Sequence, residues 1–321
     1  MSPLLKTFLL GCLVAYALAN GIGSATTGAS AAQTNTRTIY VSVTAKDGSA
    51  VTDLKATEFE VKEGGKTAAI AGLKPSTAPL RVAVIDSDGG TGAFQQSIAL
   101  FLKDLLPRAQ FAVTSVIVQP EKVLDYSNDV DALQKAIDAL GRRGRAGGAS
   151  PQLMEAIEDA AKTSGREATR SVMLVMRIGG EANSTVNASS VRELLRKSGT
   201  ILYVVSAGRA DQRTGSTDNS GMGNKAAGGT TEQSQLHNDE TTDALANLGQ
   251  VIGDGAKESG GRHEQVVSMT MMKVTRQFAD ELLHEYALTY TVPAGTKPGD
   301  KIAVSSTRKG VTIHAPTRIP N

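Results

Sequence analysis

The sequence predicts an α/β fold: a doubly wound, mostly parallel sheet joined to a small β-sandwich built from the N- and C-terminal segments. Three observations carry this. Residues 81–85, 171–178 and 200–206 are near-continuous apolar runs, as strands buried on both faces should be. Helical stretches separate them, and such alternation builds an open parallel sheet covered on both faces. Sequence of period two brackets this middle at both ends, the mark of half-buried strands.

The chain opens with an export signal over 1–19. Lys6 supplies a positive charge, 7–19 is almost wholly apolar, and Ala17-Leu18-Ala19 is a small-x-small cleavage pattern. The run is shorter than the roughly 20 residues that span a bilayer. Leu9-Leu10-Gly11-Cys12 resembles a lipobox, but the apolar run continues past Cys12. No other segment approaches transmembrane length, so the mature protein is expected to be secreted or periplasmic. Residues 20–37 are small and polar, a flexible leader.

The N-terminal β segment spans 38–79. Residues 38–44 alternate, Lys46-Asp47-Gly48-Ser49 is a turn, and 59–66 carries a strand into the Gly64-Gly65 turn. These strands are too few to stand alone and need a partner sheet from elsewhere in the chain. The α/β domain is drawn over 80–255. Its first strand runs into Asp86-Ser87-Asp88-Gly89-Gly90, and a helix follows with Phe94, Ile98, Phe101, Leu102 and Leu105 on one face. A strand is expected over 111–118, and helices over 131–140, 151–162, 191–197 and 242–252. Residues 207–238, rich in Gly, Ser, Thr, Asn and Gln, are expected to be a mobile insertion. The C-terminal segment, 256–321, holds a helix over 274–283 and strands over 286–292, 301–306 and 311–314.

Composition narrows the function. The chain has 321 residues, 34 Lys+Arg against 32 Asp+Glu, one Cys and no Trp. That charge balance gives no basic field for nucleic acid. One Cys excludes a disulfide framework and a multi-thiolate zinc site. Gly-x-Ser-x-Gly is missing. Gly64-Gly65-Lys66-Thr67 echoes a phosphate loop but has Glu60 where its first Gly belongs, and reads as a hairpin turn. His263-Glu264 and His284-Glu285 each lack the second His of a zinc-hydrolase helix. Arg142, Arg143 and Arg145 form a basic loop, a solvated turn or a docking patch for an acidic partner. No catalytic residues are expected.

Several short motifs recur in a telling order. They are Lys46-Asp47-Gly48, Val51-Thr52-Asp53-Leu54, the run 58–66 (EFEVKEGGK), a sheet strand ending in Asp86, Ser259-Gly260-Gly261-Arg262, and the run 281–290 (ELLHEYALTY). In this order they resemble the secreted von Willebrand factor A-related proteins of acidobacteria, over about 38–316. The resemblance implies an A-type domain that binds a protein or cell-envelope partner. The wider class commonly holds a divalent cation through an Asp-x-Ser-x-Ser loop, a Thr on a second loop and an Asp on a third. Against that pattern, Asp86 matches the first Asp, while Asp88 and Gly90 stand at the two Ser positions. Ser150 is the hydroxyl of the second loop. The third reads Met176-Arg177-Ile178-Gly179-Gly180-Glu181, with Ile178 where an Asp belongs and the cation-repelling Arg177 beside it. The expectation is a degenerate adhesion site: a crevice remnant of Asp86, Asp88, Ser150, Arg177 and Glu181. Asp86 should cap the following turn. No cofactor is expected, with Asp86 and Asp88 the weak candidates for Mg²⁺.

Overall fold

The computed structural model describes residues 35–141, 151–165, 169–180, 182–208, 242–297 and 299–318. The expected export signal, the arginines at 142–145 and nearly all of the expected mobile insertion lie outside these residues.

Six strands form the central sheet: β5 (Leu80–Ser87), β6 (Ala109–Val116), β7 (Pro120–Ser127), β8 (Arg170–Ile178), β9 (Ile201–Ala207) and β10 (Arg262–Val266). Their order is β10-β9-β8-β5-β6-β7. All neighbours are parallel except the edge pair β6–β7. Strand alternation splits the apolar residues between two faces. Val82, Val84, Leu174 and Tyr203 meet helices α1 (Gln95–Leu105), α2 (Val130–Leu140) and α6 (Ser268–Leu283). Ala83, Ile85, Val175 and Val204 meet α3 (Leu153–Ser164), α4 (Ala188–Ser198) and α5. Helix α5 covers 242–250, passes through a π-helical turn at Val251–Gly255 and ends as Ala256–Ser259. The α1 stripe read from the sequence is fully buried.

Two edge strands escaped the sequence reading. Strand β7 starts with Pro and carries three charges, while β10 reads Arg-His-Glu-Gln-Val. Each has a partner on one side only, so the two-faced apolar signal is missing. Strand β10 and helix α6 belong to the α/β layer, which therefore runs to the end of α6 rather than stopping at 255.

The terminal segments build the sandwich. One sheet is ordered β13-β1-β11-β4, from β1 (Thr36–Ala45), β4 (Ile70–Pro75), β11 (Tyr286–Thr291) and β13 (Val311–His314). The other is β12-β2-β3, from β2 (Phe59–Glu63), β3 (Lys66–Ala68) and β12 (Ile302–Ser306). Val41, Leu288 and Tyr290 of the first pack with Phe59, Val61 and Ile302 of the second. The Phe59 and Tyr286 rings meet edge to face, 5.8 Å between centroids.

The motifs behind the resemblance bond to one another. Tyr286 Oη donates to the Val51 carbonyl at 2.9 Å and accepts from Leu54 N at 3.0 Å. Tyr290 Oη donates to Glu63 at 2.8 Å. Arg262 pairs with Glu281, and Gln277 Nε2 donates to the Asp47 carbonyl. Of these contacts, the Gln277–Asp47 bond joins the α/β layer to the sandwich.

Two groups of this framework titrate in opposite senses. Burial holds Glu281 up at about 7, from an ordinary 4.5, against the opposing Arg262 guanidinium and the Tyr203 hydroxyl, while the Glu264 and Glu285 charges add to the rise. Burial, with Arg262 nearby, holds His314 down at about 4, from 6.5. The contribution of Glu281 to stability is complete below its unfolded value and is lost as pH rises through 7. That of His314 is complete above its unfolded value and is lost as pH falls through 4. Each amounts to about 3 kcal/mol. The two slopes oppose one another between about pH 4.5 and 6.5. Glu281→Gln should therefore expose a stability that climbs with pH across this window, and His314→Asn one that falls. Urea unfolding at several pH values reads both, and unchanged pH profiles in the variants would refute the assignment.

Candidate functional site

The site read from the sequence sits at the carboxyl end of the parallel strands, where open α/β sheets commonly place ligands. Strand β5 delivers Asp86 and Ser87, both buried, to this end. The chain then folds around Asp88. Its Oδ1 accepts from Gly90 N at 2.8 Å and Thr91 N at 3.1 Å. Its Oδ2 accepts from Thr91 Oγ1 at 3.0 Å and Ala93 N at 2.6 Å. Gly89, Gly90 and Gly92 all have φ between 70° and 78°, the left-handed turns that let the loop wrap one carboxylate. Asp88 thus caps this turn.

Arg177 is buried at the end of β8, beside Ser87 in the β5–β8 register, whereas Asp86 lies beside Met176. Alternation sends the Asp86 and Arg177 side chains off opposite faces of the sheet. Ile178 is 40% exposed at the crevice rim. Ser150 and Glu181 lie outside the described residues. Among the described residues, no three His, Cys, Asp or Glu side chains cluster as metal ligands.

Two features here were missed by the sequence reading. Glu155, in the first turn of α3, accepts from Ser184 Oγ at 3.0 Å and Thr185 N at 3.1 Å, tying the helix to the loop after β8. Nothing in its sequence context singles it out. Ser206 Oγ and His263 Nε2 lie 2.8 Å apart across the β9–β10 ladder. A strand assignment for 262–266 would have exposed that pair.

No protein-family model matches the chain, and no curated protein matches it. Solved structures do. The SpRpn10 VWA domain aligns with TM-score 0.39 and 11% identity, covering 62% of this chain and 94% of that one. The pilus adhesin SpaC from Lactobacillus rhamnosus GG aligns at 0.44 and 8%, covering 82% and 48%. BatB from Bacteroides thetaiotaomicron, a conserved hypothetical protein, aligns at 0.37 and 11%, covering 64% and 98%. This chain thus spans about half of the adhesin. Scores this low carry no argument about activity, and the secreted acidobacterial type finds no support in them. What stands, on strand order and on the helices covering both faces, is a von Willebrand A-like fold.

Proposed function

We propose that the chain is a non-catalytic protein-binding module of the adhesion type, exported to the periplasm or beyond. Its contact surface is the crevice around Asp86, Arg177 and Ile178, its partner is a protein or cell-envelope component rather than nucleic acid, and its ion dependence has been lost. The single observation behind this reading is the Asp88 carboxylate with its four loop donors. A hard cation needs carboxylate oxygens in an open octahedral arrangement. Turning Asp88 toward an ion would strip the loop of its cap. Apolar Ile178 stands where a third-loop acceptor should be, with buried Arg177 beside it. The competing reading, a hydrolase with a metal on Asp86 and Asp88, needs the same oxygens. Among the described residues, no helix is long and apolar enough to cross a membrane.

Capture of an envelope component by the immobilised mature chain should be unaffected by EDTA or added Mg²⁺, and Ile178→Glu should abolish it. Capture that EDTA abolishes would overturn the reading. Calorimetry gives an independent prediction. Mg²⁺ at millimolar concentration should produce no isotherm with the unmodified chain. Arg177→Ser with Ile178→Asp, which restores a third-loop carboxylate, should gain affinity by about tenfold or more. A micromolar isotherm in the unmodified chain, lost in Asp86→Ala, would show that the ion site is retained.

A further inference from the structure

Strand β5 carries two buried charged side chains, Asp86 at its carboxyl end and Arg81 near its start. Arg81 is 7% exposed and points to the face shared with Ala83 and Ile85. Its guanidinium carbon sits 3.5 Å from the centre of the Tyr126 ring, on edge strand β7. Among the described residues it has no carboxylate partner, and its buried Nε makes no hydrogen bond. The buried Tyr126 hydroxyl likewise has none. Burying a guanidinium without a counter-charge is unfavourable, and stacking on one ring offsets only part of the loss.

The same two side chains line a groove of about 560 Å³ between α3 and strands β5, β6 and β7. Ala83, Ala112, Ala156 and Ala160 on its walls leave the space open, beside Thr114 and Thr163. The acids at its rim are already engaged: Asp125 pairs with Lys122, and Asp159 lies 3.8 Å from Lys162. That volume falls within the range of small-molecule sites. Stacking occupies the face of the Arg81 guanidinium and leaves its edge for a planar, two-point contact with an oxyanion. Arg81 stands five residues before Asp86, roughly 16 Å along the strand, so this groove is separate from the crevice.

We propose that the groove binds a small organic oxyanion, a carboxylate or phosphate monoester on a compact apolar body. The anion meets the edge of Arg81 and accepts a hydrogen bond from Tyr126, while the apolar part lies against the alanines.

The test titrates the full chain with benzoate, phenyl phosphate, inorganic phosphate and benzyl alcohol, by calorimetry and by thermal shift. Saturable binding of benzoate or phenyl phosphate is expected, and which of them binds tighter identifies the head group. Arg81→Met should weaken that binding at least about tenfold, and Arg81→Lys, which keeps charge but loses the fork, by a comparable factor. Arg81→Met should also match or exceed the parent melting temperature without ligand, because it removes an uncompensated buried charge. The parent alone should then rise in melting temperature with anion. A merely structural Arg81 predicts the reverse: a lower melting temperature and unchanged binding. Should Arg81→Met fail to fold, the Arg81→Lys titration decides. Three results would overturn the proposal: no saturable binding of either organic anion at millimolar concentration, equal binding of benzyl alcohol, or inorganic phosphate binding as tightly as both.

Discussion

Gly261→Ala should destabilise the protein by more than about 3 kcal/mol, a fall in melting temperature on the order of 10 °C. A β-carbon at Gly261 would lie 2.1 Å from the carbonyl oxygen of Leu202 and 2.7 Å from its carbonyl carbon. Both are main-chain atoms of β9, and neither can retreat without opening the β9–β10 ladder. The neighbours tighten the constraint. Ser259 Oγ accepts from Leu202 N at 2.9 Å and donates to the Ala256 carbonyl at 2.7 Å, and Gly261 N donates to the same carbonyl at 3.0 Å. Ser259-Gly260-Gly261 is therefore a clamp that ends α5 and lays the chain flat against β9. Gly249, within α5, has no neighbour near its missing β-carbon. Gly249→Ala should be neutral or stabilising by up to about 1 kcal/mol. Thermal unfolding of the two variants side by side separates the clash from any general effect of adding a methyl group. Equal melting temperatures would refute the close approach.

Arg170→Met should cost about 3–5 kcal/mol, because it strands a buried carboxylate. Arg170 opens β8, and its Nη2 lies 3.4 Å from Glu285 Oε1. Nη1 donates to the Gly199 carbonyl at 3.2 Å, and the guanidinium lies 4.6 Å from the Tyr40 ring centre on β1. One side chain thus touches the central sheet, the turn after α4 and the sandwich. Glu285 is fully buried, and burial raises its carboxyl above the ordinary range despite Arg170 and Arg108. The variant should regain part of its stability in mild acid, where Glu285 protonates. Arg170→Met with Glu285→Leu should recover most of the loss, since the pair is then replaced by apolar volume. A double variant no more stable than Arg170→Met would mean that the packing of Arg170, not its charge, is what matters.

The parts of the fold legible in the sequence are those whose burial leaves a repeating pattern. Strands β5, β8 and β9 are covered on both faces and read as apolar runs, and β1 alternates in sequence although Val41 to Thr44 are all buried. Strands β7 and β10 lie at sheet edges, where polar residues are tolerated, and their pairing depends on neighbours distant in the chain. At the crevice, the sequence placed Asp86 and Asp88 at a strand end. It could not say which carboxylate the loop would enclose, because that depends on the path through Gly89, Gly90 and Gly92. Arg81 stands at the start of a run that reads as apolar, and nothing in that run sets it apart. Its stacking on Tyr126 required β7, the strand the sequence concealed.

The pairing of Thr36 with Thr291 joins points about 255 residues apart in the chain. Closing a loop of that size costs roughly 5 kcal/mol of chain entropy, whereas the parallel pairs β5–β6 and β8–β9 of the central sheet each close over about 29 residues. The sheet can therefore assemble while the first strand still waits for a neighbour. At about 5–20 residues per second, synthesis leaves that strand unmatched for roughly 10–50 s. Ile39, Val41 and Val43, buried once paired, are then open to solvent or to any chaperone that holds extended apolar segments. If the chain is exported as proposed, such a delay is useful, because a polypeptide whose first strand cannot close early stays threadable for longer.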